Sequence, residues 1–193
     1  MKENVLAFLN SIGKMPPPLN NHLSGILTWR HIPKGTLILA KDAICGEIFF
    51  IIKGMVAGIK WQKGQEVTTW IMREGDVVTS PESFFEQMRS AEWMIAVEDC
   101  EVLGITYRQL EDTYDQFPIF NLHGRILTQR YYMRNLKQTD FMKRYTATEK
   151  YKMLLESNPE VVQRCPQKYL ASYLNVNVTT LSSIRSKIMK GRR

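Results

Sequence analysis

The stretch "EIFFIIKGMVAGIKWQKGQEVTTWIM", residues 47–72, consists of short apolar and β-branched runs separated by single glycines. Runs of this length, closed by turn residues, predict strands rather than helices. Within it, "QKGQ" at 62–65 reads as a hairpin tip, with Gly64 supplying the positive φ that a tight turn needs. The same pattern continues outward in "GTLILA" at 35–40, "WMIAV" at 93–97 and "EVLGITY" at 101–107. Gly35, Gly46, Gly54, Gly64 and Gly75 punctuate these runs. Many short strands at such spacing predict an antiparallel sandwich or barrel that begins near Pro33.

The flanks of this β-rich body read differently. Residues 3–30 are predicted to be mainly helical: Val5, Leu6, Phe8, Leu9 and Ile12 fall at helical spacing before Pro16-Pro17-Pro18 interrupts them. Beyond Pro118 there is no proline until Pro159, and Gly124 is the only glycine between them. One apolar stripe there runs Ile119, Leu122, Ile126, Gln129, Met133, Leu136, alternately three and four apart, which is a coiled-coil seam. A second stripe, Phe120, Leu127 and Tyr131, points elsewhere and suits the β body. Two apolar faces imply two partners, so the 118–141 helix is expected to join a homodimer; burial inside a monomer is the alternative. "TATEKYKMLLESNP" at 146–159 predicts a separate helix with Thr146 or Thr148 as its N-cap.

"PQKYLASYLNVNVTTLSSIRSKI", 166–188, predicts two helices around a tight turn. Leu170 and Leu174 form an inner face, and Ala171 is small where a second helix must approach. Asn175 tolerates left-handed backbone at the turn, and Asn177 can cap the next helix. Leu181, Ile184 and Ile188 then point back at the first helix. This is helix-turn-helix spacing. Thr179, Thr180, Ser182, Ser183 and Arg185 are the residues expected to face base edges in a DNA major groove. Lys187, Lys190, Arg192 and Arg193 suit phosphates, and Lys168 and Tyr169 of the first helix are expected at the DNA backbone. The alternative is a helical hairpin that only packs.

Charge converges on the same segment. Residues 1–139 hold 15 Lys or Arg against 15 Asp or Glu, whereas residues 140–193 hold 11 against 4, so the net +7 lies entirely in the last 54 residues. A basic end on a neutral body points to a polyanion partner. No apolar run approaches the roughly 20 residues that span a bilayer, and the N-terminus carries Glu3 and Asn4 where a signal peptide would be basic. A cytoplasmic protein without membrane association is expected. Cys45, Cys100 and Cys165 are odd in number and far apart, which fits structural thiols. His22, His31 and His123 are scattered, so neither a metal site nor the clustered His and Glu of a cupin-type metalloenzyme is expected. The chain is not expected to be an enzyme.

The order of "KGTLILA…EIFFIIKGMVAGI…KGQEV…REGDVV", the segment "TSPESFFEQMRSA" at 79–91, the long helix and "LASYLNVNVTTLSSIR" resembles the catabolite-activator (Crp/Fnr) family of bacterial transcription regulators across nearly the whole chain. The resemblance implies an α+β protein in three parts. These are a cyclic-nucleotide-binding-like β-roll of jelly-roll (double-stranded β-helix) type with N-terminal helices over 1–117, a dimerisation helix over 118–145, and a helix-turn-helix domain over 146–193. It further implies a dimer on a pseudo-palindromic double-stranded operator, with RNA polymerase as a further partner, and a cyclic nucleotide or other phosphorylated small molecule as effector. The family's usual Gly-Glu followed by Arg-Ser is altered here: its first element reads Thr79-Ser80-Pro81-Glu82, and only seven residues separate Glu82 from Arg89. Thr79, Ser80, Glu82, Ser83, Arg89 and Ser90 are the effector-binding candidates, with Arg89 offering a fork to a phosphate. The alternative is a cyclic-nucleotide- or ligand-sensing module that acts through protein contacts.

Overall fold

A computed structural model describes residues 1–190. Helices α1 (Lys2–Ile12) and α2 (Pro17–Ile26) open the chain. Pro17 sits in the first turn of α2, where a missing N–H removes no helical hydrogen bond. Asn10 and Asn20 bind the pair together: Asn10 donates to Asn20 Oδ1 at 2.9 Å, and Asn20 donates to the Met15 carbonyl at 3.0 Å.

The β-roll follows as β1 (Thr28–Ile32), β2 (Leu37–Leu39), β3 (Glu47–Lys53), β4 (Met55–Gln62), β5 (Gln65–Arg73), β6 (Val77–Val78), β7 (Glu92–Ala96) and β8 (Cys100–Thr106). They form two antiparallel four-stranded sheets, ordered β1-β8-β3-β6 and β2-β7-β4-β5. The β4–β5 hairpin turns through Lys63 (φ 49°) and Gly64 (φ 81°), the two positive φ values of a type I′ turn. Helix does not extend to residue 30 as the sequence predicts, because Thr28–Ile32 pairs with β8. Only Ile32 of that strand is buried, so no alternation betrays it.

Alternation along β4, β5 and β7 gives the second sheet two apolar faces. Val56, Met72, Met94 and Ala96 pack with Phe49, Ile51 and Leu103 in the core of the roll. Met55, Ala57, Ile71 and Val97 face the other way, into a second core. The register slips between Gly58 and Ile59, so Gly58 opposes Trp70. The Trp70 indole occupies the space where a Cβ at Gly58 would sit.

The short α3 (Pro81–Glu86) lies between β6 and β7, and α4 (Tyr107–Gln116) follows β8 behind a Thr106–Gln109 capping box. A 3₁₀ turn at Pro118–Phe120 leads into α5 (Asn121–Arg144). As the second stripe predicts, Phe120 is buried in the roll's core, and Leu127 and Tyr131 pack against it. The Tyr131 hydroxyl accepts the Val77 N–H at 2.6 Å. His123 is fully buried, stacked on Phe120 and 2.9 Å from the Gly13 carbonyl through Nε2, so it is a core histidine.

The C-terminal unit comprises α6 (Ala147–Ser157), α7 (Pro159–Arg164), α8 (Gln167–Tyr173) and α9 (Val178–Lys190). Thr146, rather than Thr148, caps α6 in a reciprocal box with Glu149. Tyr151, Leu154, Val161, Val162, Leu170 and Leu174 close the second core against the outer face of the β2-β7-β4-β5 sheet. The C-terminal unit and the roll therefore share buried apolar surface. No helix among the described residues is long and apolar enough to cross a membrane.

Candidate nucleic-acid interface and effector cassette

The turn between α8 and α9 is a Schellman motif. Asn175 is left-handed (φ 58°), the Val176 N–H donates to the Ala171 carbonyl, and the Asn175 N–H donates to the Ser172 carbonyl, both at 3.0 Å. Asn177 then accepts the Thr180 N–H and the Thr179 hydroxyl on Oδ1, both at 2.7 Å, which caps α9. Leu170, Ala171, Leu174, Leu181 and Ile184 are buried between the two helices and the sheet, as the spacing predicts.

The opposite face of α9 is open. Thr179, Thr180, Ser182, Ser183, Lys187 and Lys190 are exposed. The Ser182 and Ser183 hydroxyls donate to the carbonyls four residues back, at 3.0 and 3.1 Å, which leaves their lone pairs turned outward. Lys168 is exposed with its ammonium 4.6 Å from the centre of the half-buried Tyr169 ring. Arg185 departs from the outward face on which the sequence places it. Its Nη2 donates to the Val162 carbonyl at 2.8 Å, and its guanidinium lies 5.9 Å from the Tyr151 ring centre. Its Nε is buried without a partner among the described residues. The side chain is long enough to reach back to Tyr151 of α6 and Val162 of α7, and it stitches the unit together instead of reaching outward. Arg192 and Arg193 lie outside the described residues.

Polar contacts fix this unit on the roll. Ser172 Oγ accepts the Thr68 N–H of β5 at 2.9 Å, and Gln138 of α5 donates to the Thr69 carbonyl at 2.5 Å. Arg164 holds Glu74 and Glu98 at once, at 2.6 and 2.5 Å, and Arg73 pairs with Glu160 at 2.9 Å. Burial opposes ionisation of Glu74, but the Arg164 fork and the Gly54 N–H outweigh it and hold the carboxyl below its usual range. Burial pushes the Cys100 thiol up to about 11 and the Cys165 thiol up to about 12, so both stay protonated and unreactive. Sequence reading passed over Arg164, Glu74 and Glu98 because they are far apart in the chain and match no motif.

In the cassette, the serines bond to one another and to nearby backbone. Ser90 donates to the Glu92 carbonyl at 2.8 Å, so Ser80, 3.0 Å away, is the donor in the Ser80–Ser90 hydrogen bond. Ser83 accepts the Cys45 N–H at 2.9 Å and donates to the Met88 carbonyl at 2.5 Å. Thr79 donates to the Glu47 carbonyl at 3.3 Å. Ser80, Ser83 and Ser90 are all buried. Glu82 and Arg89 are exposed, and neither side chain has a hydrogen bond or ion pair among the described residues. Pro81 supplies no N–H at the start of α3. The buried Glu92 side chain, two residues beyond Ser90, accepts the Trp70 indole N–H at 3.3 Å. The Ser80, Ser83 and Ser90 hydroxyls that could donate to a phosphate are committed to protein acceptors, and the Arg89 guanidinium is exposed. The residues present do not fit a cyclic nucleotide.

The seam on α5 stays uncovered. Ile119, Leu122, Met133 and Leu136 are exposed at 49%, 37%, 51% and 46%, Gln129 is exposed, and Ile126 is half-buried.

The model of the cyclic nucleotide-binding domain family matches residues 29–117. Three solved structures share the fold at low identity. FixK2 from Bradyrhizobium japonicum is 17% identical, with 86% of each chain covered and a TM-score of 0.74. The c-di-GMP-responsive global regulator CLP of Xanthomonas campestris is 16% identical, with 91% of this chain and 93% of that chain covered and a TM-score of 0.68. The catabolite activator protein of Thermus thermophilus is 16% identical, with 93% of this chain and 86% of that one covered and a TM-score of 0.54. No curated protein sequence matches the chain significantly. Residues 29–117 thus match the cyclic nucleotide-binding domain family, and the roll, the long helix and the C-terminal helices together share the fold of these three solved structures.

Proposed function

We propose that the chain is a homodimeric, sequence-specific DNA-binding transcription regulator whose effector cassette serves as architecture and not as a phosphate site. The observation that carries this reading is the exposed face of α9, where Thr179, Thr180, Ser182 and Ser183 stand beside Lys187 and Lys190 on a capped helix following a Schellman turn. Small hydroxyls reach base edges without filling the major groove, and lysines neutralise phosphates. The basic excess of the last 54 residues supplies the long-range attraction. Dimerisation rests on the uncovered seam of α5, which a second copy would bury. Two units related by that seam would meet half-sites about one helical turn apart on a pseudo-palindrome. RNA polymerase belongs to the same reading as the partner an activator meets at a promoter, and co-migration on promoter DNA tests it.

The test is fluorescence anisotropy of a random-sequence duplex titrated with the protein across ionic strengths. Affinity is expected to fall log-linearly with salt, and Lys187→Ala and Lys190→Ala each to reduce the slope by about 0.9 per lost phosphate contact. Absence of binding at low salt would turn the reading to a sensing module that acts through protein contacts.

A further inference from the structure

A cavity of about 330 Å³ lies at the seam between the two sheets, along β1, β2, the start of β3 and β7. β1 ends one sheet and β2 ends the other, so no ladder closes the gap between them. The volume falls at the lower end of the range that holds small organic ligands. Ile32, Leu39, Phe49 and Met94 form buried apolar walls, and Leu37 and Ile44 stand exposed at the rim, each at 53%. Among the polar lining groups, which also include His31, Thr36 and Glu47, the one that can fork a carboxylate is Arg30. Its two Nη atoms donate to the two Glu47 carboxylate oxygens at 2.6 and 2.5 Å, a complete fork, and its guanidinium lies 5.6 Å from the Phe49 ring centre. Gly104 lets that ring lie where it does, since a Cβ there would come within 3.0 Å of it.

We infer that this cavity is the regulator's effector site and takes a small, mostly apolar carboxylic acid, with a medium-length aliphatic or aromatic body. Its carboxylate replaces that of Glu47 on the Arg30 fork, and its body lies against Phe49 and Met94. A carboxylate matches the bidentate geometry that Glu47 already occupies, and the displaced Glu47 carboxylate, on a side chain 21% exposed, turns out to solvent. The signal has a route into the cassette through the chain segment beneath the ligand. The Glu47 carbonyl accepts the Thr79 hydroxyl, and the Cys45 N–H donates to Ser83.

This inference gives the proposed regulator its ligand class, yet it is tested on the protein without DNA. Full-length protein carrying ¹³C-methyl methionine is titrated with octanoate and with phenylpropanoate at millimolar concentration, with octanol and cyclic AMP as controls. The Met94 methyl resonance is assigned through Met94→Leu. The expected result is a saturable Met94 shift with both carboxylates and none with cyclic AMP. Octanol binds at least about tenfold more weakly, the ratio expected when a charge-assisted hydrogen-bonded pair is lost. Arg30→Gln is expected to weaken octanoate binding by a similar factor, and Arg30→Lys, which keeps the charge without the fork, to fall between. No Met94 shift with either acid, equal shifts with octanol, or unchanged octanoate binding in both Arg30 variants would overturn the inference. A loss of DNA binding with intact carboxylate binding would count against the proposed function and not against the site.

Discussion

Trp70 and Gly58 illustrate how single residues settle the local packing of the second sheet. The missing Cβ at Gly58 and the slipped register on β4 admit the indole, and Glu92 anchors its N–H. Gly58→Ala is expected to force the ring aside and destabilise the fold by about 1–3 kcal/mol, the range for overpacking, measured by chemical denaturation. Asn177→Ala removes the cap of α9 and is expected to cost about 1 kcal/mol. That cap was legible in the sequence, because an Asn ahead of a periodic apolar run has one ready role. Arg185 was not, since helical spacing fixes only the direction of the Cα–Cβ bond, and a long side chain can fold back to a carbonyl such as that of Val162. Arg185→Ala is accordingly expected to lower the melting temperature and to leave DNA affinity of the folded protein little changed. A large affinity loss without a thermal effect would return Arg185 to the base-reading face.

At the scale of elements, the 3₁₀ turn and α5 carry two stripes: Leu127 and Tyr131 against the roll, and Ile119, Leu122, Met133 and Leu136 exposed. The seam sorts cleanly because a 3.5-residue repeat and the body-facing stripe occupy different sides of one helix. Leu136→Glu combined with Met133→Glu places charge in that seam. The expected outcome is a monomer by light scattering with an unchanged far-ultraviolet spectrum. A dimer that survives both charges would place the interface elsewhere. β1 escaped sequence reading for the opposite reason, as four of its residues are exposed and its pairing with β8 is set by long-range contacts. The cassette stood between these cases. Its altered Thr79-Ser80-Pro81-Glu82 pointed to a changed site, but the internal bonding of the serines depends on Cys45, Met88 and Glu92, which approach only in the fold.

The molecule as a whole places its C-terminal helical unit directly on the outer face of the β2-β7-β4-β5 sheet, through a shared core and the Arg164 fork. Glu74 is held below its unfolded pKa, so the stability it contributes is present at neutral pH. That contribution is lost as pH falls from about 4.5 through the folded value. Arg164→Ala is therefore expected to lower the melting temperature by a few degrees at pH 7, and the difference from the parent is expected to shrink as Glu74 protonates. A pH-independent difference would assign the effect to lost packing of the arginine stem. Order of parts, domain type and basic end were all legible from the chain. The docking of one part on another was not, because Arg164, Glu74 and Glu98 carry no periodic or motif signal. The central claim concerns what the assembled dimer reads, and selection of bound fragments from random double-stranded DNA tests it most directly. The expected result is an enriched pseudo-palindrome with half-sites about 10 base pairs apart, centre to centre. Recovery of unenriched sequence at every salt concentration would contradict it.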